Sequence, residues 1–246
     1  MTTLKNKVAI VTGSSKGIGA EIAILLAEAG AKTVINYATD DAAANEVVNK
    51  IKKAGGEAIA IQADVSDTQQ VKAMFDTTIN TFGKPDILVN NAGIIICKPI
   101  AETTDDDFDR IFDINVKGTF NTLREAATKL NDGGRIVNLS STTTRMMLPT
   151  YGSYCATKGA VEQLTRIFAK EVGARKITVN AVSPGPTDTE LFHQGKTDDT
   201  VEKLASMSAF NRIGEPADIA RVVLFLVSEE AAWVTGQNIG ANGGVA

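Results

Sequence analysis

Tyr154 and Lys158 stand four residues apart at the start of a segment in which Ala160, Val161, Leu164, Ile167 and Phe168 recur with helical period. Side chains at that spacing leave the same face of a helix, which makes the phenol and the ammonium neighbours. A free phenol, with a pKa of about 10, exchanges protons poorly at neutral pH. A close cation favours the phenolate, and a drop of roughly three pH units needs about 4 kcal/mol, within reach of one charge in a partly dry cleft. Tyr154 could then trade a proton with a substrate oxygen. Tyr-x-x-x-Lys also occurs in helices that perform no chemistry, so the reading depends on what surrounds the pair.

The rest of the chain alternates short apolar runs with amphipathic ones. Val8–Val11 reads as a strand buried on both faces, and Ile18, Ile22, Leu25, Leu26 and Ala29 as the inward stripe of a helix capped by Gly30. Between them lies Thr12-Gly13-Ser14-Ser15-Lys16-Gly17-Ile18-Gly19, whose glycines permit a tight turn and close backbone approach, and whose following helix start turns free N–H groups toward an anion. The spacing G-x-x-x-G-x-G is one residue off the usual dinucleotide fingerprint. Further strands are expected at Thr33–Asn36, Ala58–Ile61, Ile87–Val89, Ile136–Leu139 and Ile177–Val182. Helices are expected over 40–54, from Asp67 through Phe82, and as one long helix from Asp105 toward Leu130. This order implies an α/β fold, a single-domain Rossmann-type doubly wound parallel sheet with helices on both faces. Ligands bind beyond the carboxyl ends of such strands, where Gly13, Asn36, Asp64, Asn91, Ser141 and Pro184 fall.

Composition narrows the class. The 246 residues are 43% hydrophobic and 22% charged with a net charge of -4, an ordinary globular balance that recommends neither nucleic acid nor an anionic membrane as partner. No apolar run is long enough to span a bilayer, and Met1–Lys7 lacks the apolar core of a secretion signal, so the cytoplasm is the expected compartment. Cys97 and Cys155 make neither a disulfide framework nor a metal site, and His193 has no acidic or cysteine companions for one.

Taken together, Thr12-Gly13-x-x-x-Gly17-Ile18-Gly19, Asp64-Val65, Asn90-Asn91-Ala92-Gly93, Asn115, Ser141, Tyr154-x-x-x-Lys158 and Pro184-Gly185 resemble the short-chain dehydrogenase/reductase family over nearly the whole chain. The resemblance implies hydride transfer between a nicotinamide and a carbonyl or alcohol carbon. Tyr154 would be the general acid or base, and Ser141, thirteen residues earlier, would hold the substrate oxygen, with Ser140 as a competitor for that role. Lys158 would lower the Tyr154 pKa and hold the nicotinamide ribose. Asn115 would anchor a proton-relaying water, or else bond the backbone at a helix kink. Asp64 and Val65 would meet the adenine, Asn91, Ala92 and Gly93 the nucleoside, and Pro184, Gly185, Thr187 and Thr189 the carboxamide.

At the end of the second strand an acid would favour NAD(H) by bonding the 2′-hydroxyl. This chain has Asn36-Tyr37-Ala38 there, with no carboxylate before Asp40, and Lys16 supplies a cation, so NADP(H) is expected. Residues 189–210 read as a substrate lid, and Ile94–Ile96, Thr142–Leu148 and Tyr151 as the remaining, largely apolar wall, with Arg145 able to meet an acidic group or to stay solvated. Some relatives are 3-oxoacyl-ACP reductases, which by resemblance dock an acidic carrier on basic residues near the active-site mouth. Arg175 fits one such position, but Asp132 occupies the other and would repel the carrier, favouring a small free substrate. A non-catalytic NADP(H)-binding sensor or scaffold is the alternative of another class. The resemblance further implies a homotetramer built on the helices at 105–130 and 151–173, with the apolar end 233–246 as a second interface.

Overall fold

The computed structural model describes residues 3–246; Met1 and Thr2, where the segment searched for a targeting signal begins, lie outside the described residues. Seven parallel strands form one sheet: β1 Val8–Val11, β2 Lys32–Tyr37, β3 Ala58–Gln62, β4 Ile87–Asn90, β5 Arg135–Leu139, β6 Thr178–Pro184 and β7 Asn238–Ala241. Their order is β3-β2-β1-β4-β5-β6-β7. The chain winds outward from β1 in one direction and from β4 in the other, so the crevice between those two strands is the switch point where such sheets bind ligands. In register, Ile10 faces Val34 on one side and Leu88 on the other, and β1 and β4 are buried throughout because both faces are covered.

Helices α1 (Gly17–Glu28), α2 (Asp41–Lys53), α3 (Thr68–Phe82), α4 (Asp105–Phe112), α5 (Gly118–Lys129), α6 (Thr143–Met146), α7 (Gly152–Glu171), α8 (Glu190–His193), α9 (Asp198–Ser206) and α10 (Pro216–Leu226) supply the cover. One apolar cluster packs Ile22, Leu26, Val47, Ile51 and Val223 from α1, α2 and α10 against one face. The other packs Val71, Phe75, Leu123, Ala126 and Phe168 from α3, α5 and α7 against the opposite face. Asp67 caps α3 by accepting from the Gln69 and Gln70 N–H groups at 2.8 and 3.1 Å.

Three features depart from the sequence reading. The long helix from Asp105 is broken by a π-helical turn at Asp113–Lys117, separating α4 from α5. Strand β7 and helix α10 were not anticipated. Asn238-Ile239-Gly240-Ala241 carries one β-branched residue and no alternation, so only its pairing with β6 identifies it as a strand.

A buried polar chain fixes the middle of the sheet. Thr122 donates to Asn90 Oδ1 at 2.7 Å, Asn90 donates to Asn138 Oδ1 at 2.8 Å, and Asn138 donates to Thr165 Oγ1 at 2.8 Å. It joins α5, β4, β5 and α7 at one depth, and every member that donates has an acceptor.

Candidate active site

The turn after β1 is shaped by steric necessity. Gly13 and Gly17 have φ of +59° and +55°, which favour glycine. A Cβ at Gly13 would lie 2.8 Å from Ala92 Cα, and one at Gly19 would lie 2.4 Å from Asn91 Nδ2 and 2.5 Å from the Gly13 carbonyl oxygen. Asn36 braces the turn, its Oδ1 accepting from the Gly13 N–H at 3.1 Å while its amide donates to the Ala63 carbonyl at 3.0 Å. Asn91 donates to the carbonyls of Thr12 and Gly13 at 3.0 and 2.9 Å. No side chain caps α1 and no acid stands in its first turn, which leaves the helix start open to an anion.

A cleft of about 620 Å³ runs from this turn along the carboxyl ends of the strands. Gly13, Ser15, Lys16, Gly17, Ile18 and Gly19 line one stretch of it, Asn36, Ala38, Asp64 and Val65 a second, and Asn91, Ala92, Gly93 and Thr189 a third. Ser14 and Tyr37 do not line it. The Ser14 hydroxyl turns back to the Val11 carbonyl at 2.7 Å, and the buried Tyr37 donates its phenol proton to Asp41 at 2.6 Å because the last residue of β2 points into the α2 side. Thr39, Asp40, Ala63 and Ile114 line the cleft although the sequence did not single them out for it. Lys16 reaches the cleft but lies 3.0 Å from Asp40 and 3.7 Å from Glu190, so its charge is shared with two carboxylates.

Where the cleft passes β4 and β5 it opens into a pocket of about 190 Å³ that shares Ile18, Asn91, Gly93, Ile94, Thr189 and Leu191 with it. Ser141, Tyr154 and Lys158 line it, together with Pro184, Gly185 and Thr187. The Ser141 hydroxyl accepts from Thr143 Oγ1 at 2.9 Å and from the Thr143 N–H at 3.2 Å, which orients it. Ser140 is committed elsewhere, donating to Glu162 at 2.8 Å. Lys158 is buried, donates to the Leu139 carbonyl at 2.8 Å, and places Nζ 5.7 Å from the centre of the Tyr154 ring.

The electrostatics reverse one expectation. Burial pushes the Tyr154 phenol up to about 12, with a hydrogen bond to Ser141 acting in the opposite direction. Burial also pushes Lys158 down to about 8. For the phenol the loss of hydration is the largest influence, and the same burial makes Lys158 give up its proton more readily than a solvated lysine.

Asn115 sits in the π-helical turn and does not line the pocket. Its amide donates to the Ile94 carbonyl at 2.9 Å and to Thr157 Oγ1 at 3.1 Å, while its Oδ1 accepts from the Ile94 N–H at 2.8 Å. It thus ties the loop after β4 to α7. A Cβ at Gly93 would lie 3.1 Å from Asn115 Oδ1 and 3.6 Å from Lys158 Nζ, so the glycine lets both side chains converge.

Ile94, Ile95, Met146, Leu148 and Tyr151 line the pocket, joined from α8, α9 and their connection by Leu191, Phe192, Lys196 and Leu204. Arg145, Ile96, Met207 and Phe210 do not; Phe210 is 71% exposed. His193 pairs with Asp188 at 2.7 Å on the surface. Arg175 pairs with Asp132 at 2.7 Å at the amino ends of β5 and β6, the opposite edge of the sheet from the pocket, which corrects their expected position at its mouth. Among the described residues no cluster of ligating side chains could hold a metal ion, and no helix is long and apolar enough to cross a membrane.

A family profile described as Enoyl-(Acyl carrier protein) reductase matches residues 13–246. The NADPH-dependent aldehyde reductase-like protein, chloroplastic, of Arabidopsis thaliana is 47% identical, over 98% of this chain and 94% of its own. The crystal structure of the angucycline C-6 ketoreductase LanV with bound NADP superposes with a TM-score of 0.93 at 40% identity, covering 99% of this chain and 97% of that one. A short chain dehydrogenase from Burkholderia cenocepacia in complex with NADP gives 0.93 at 38% identity, covering 98% of both. The chain therefore belongs to the short-chain dehydrogenase/reductase family, the class of oxidoreductase its fold and site define.

Proposed function

We propose that this protein is an NADP(H)-dependent oxidoreductase that interconverts a carbonyl and an alcohol on a small substrate free of any carrier, with Tyr154 as general acid and base. The observation that carries the reading is the meeting of Ser141, Tyr154 and Lys158 on the wall of a pocket continuous with the glycine-lined cleft. The cleft suits a dinucleotide: its turn admits backbone approach where side chains would collide, and the start of α1 is open to a pyrophosphate. NADP(H) is favoured because the end of β2 offers Ala38 and Thr39 to the ribose, while Asp40, the first carboxylate along the cleft, is paired with Lys16. When bound, the cofactor supplies or accepts the hydride.

In reduction, Tyr154 donates its proton to the substrate oxygen while the Ser141 hydroxyl donates a hydrogen bond to the same atom. A phenol held near 12 keeps that proton until charge develops on the oxygen. In oxidation Tyr154 takes the proton, and a charged Lys158 is the chain's own means of lowering the phenol. Asn115 holds the Ile94 loop and α7 together so that this geometry persists. Residues 189–210 close over the pocket as a lid, within a single domain spanning the chain.

A 3-oxoacyl-ACP reductase is disfavoured because Arg175 is neutralised by Asp132, and the pair stands at the far edge of the sheet. The test is a panel of free ketones, aldehydes and alcohols with NADPH and NADH. Turnover lost in Tyr154→Phe, with NADPH binding retained, is the expected result. NADPH binding without turnover anywhere on the panel would make the protein a sensor, and carrier-bound ketoacyl groups reacting as fast as free ketones would restore the carrier reading.

A further inference from the structure

We infer that the substrate carries an anionic group, a carboxylate or phosphate set apart from the reacting carbonyl, and that Lys196 recognises it. This rests on the oxidoreductase reading and narrows its substrate class. Lys196 lies on the connection between α8 and α9 and lines the same pocket as Ser141 and Tyr154. Its neighbours across that part of the wall are apolar: Leu191, Phe192 and Leu204, with Ile95, Met146 and Leu148 also lining the pocket. The second ammonium on the wall, Lys158, is committed to the Leu139 carbonyl.

Two carboxylates near the lid already have partners, Asp188 with His193 at 2.7 Å and Glu190 with Lys16 at 3.7 Å, while Asp198, Asp199 and Glu202 on α9 stand more than 4.0 Å from any cation among the described residues. Lys196 has no such match: among the described residues no carboxylate lies within 4.0 Å of it. It is held in place by neutral groups, donating to the Phe192 carbonyl at 2.6 Å and resting 4.8 Å from the centre of the Phe192 ring. Lys196 is half-buried as a residue, its ammonium engaged only by neutral groups, and an incoming anion can accept a charge-assisted hydrogen bond from it. A neutral substrate of the same shape cannot. Arg145, the cation the sequence suggested for this task, is exposed and outside the pocket.

The experiment pairs methyl ketones bearing a terminal carboxylate at increasing distance with their methyl esters. It measures kcat/KM with NADPH, and equilibrium affinity in the presence of NADP, which needs no turnover. At one chain length the acid should exceed its ester by about tenfold, the size of a single well-placed charged hydrogen bond. The ratio should collapse in Lys196→Met and persist in Lys196→Arg. Esters that bind and react as well as acids at every length would overturn the inference while leaving the oxidoreductase reading intact. So would a Lys196→Met variant whose loss is one of NADP affinity instead, since Lys196 would then serve the cofactor.

Discussion

Tyr154 and Lys158 share a problem of hydration that shapes how the protein should respond to pH. Lys158 has its folded pKa lowered from 10.5 to about 8. Below about 8 it is charged in both states and its burial costs stability; between about 8 and 10.5 only the unfolded chain keeps the proton, so rising pH favours the fold. Relative to Lys158→Met, the wild-type protein should gain about 3 kcal/mol across that window, since displacing a pKa tenfold in proton affinity corresponds to about 1.4 kcal/mol. Urea unfolding of both proteins at successive pH values reads this directly, and a flat difference would show that the lysine is well hydrated. Tyr154→Phe should lower kcat by about 10²–10⁴ while NADPH affinity stays within a few-fold. The residue types were legible in the sequence, because four-residue helical spacing is a local property. The direction in which the phenol's pKa moves was not, since it depends on how deeply two groups are covered by segments far away in the chain.

Elements turn these residues into a site, and the glycine turn between β1 and α1 is the least tolerant of them. Gly19→Ala should weaken NADPH binding at least tenfold, because its Cβ would meet Asn91 and the Gly13 carbonyl within 2.5 Å; fluorescence titration of NADPH measures it. Asn138→Ala removes the centre of the buried chain linking β4 and β5 to α5 and α7, leaving Asn90 Nδ2 and Thr165 Oγ1 short of a partner. It should cost about 2–4 kcal/mol in denaturant unfolding. The strands through β6, the edge strand β3 included, could be located from sequence because each carries a short apolar run rich in β-branched residues. β7 escaped because Asn238-Ile239-Gly240-Ala241 has one such residue and is defined by its pairing with β6. The break in the helix after Phe112 escaped because a π-turn leaves residue types unchanged and alters only their phase.

At the scale of the whole molecule, two sets among the uncovered large apolar side chains lie on or near the helices and the C-terminal end. Ile167 is 60% exposed, Phe120 47% and Phe108 45%, on α7, α5 and α4; Trp233 is 98% exposed and Phe225 48%, toward the C-terminal end and on α10. Ile167 was expected inside by its helical period; its exposure places part of the α7 stripe on a surface suited to another subunit. Assembly as a homotetramer through these two surfaces is expected, with light scattering after size exclusion as the measure. Trp233→Glu should shift the population toward a smaller species, and a lone monomer in the wild type would refute the assembly. The π-helical turn at Asp113–Lys117 has its own consequence, since its wide winding holds one residue more than a regular helix would need. Shortening the chain there by one residue would let the backbone ladder run unbroken, yet swing Asn115 about 100° around the axis and release the Ile94 loop. Heat resistance and catalytic rate would then move in opposite directions from a single deletion.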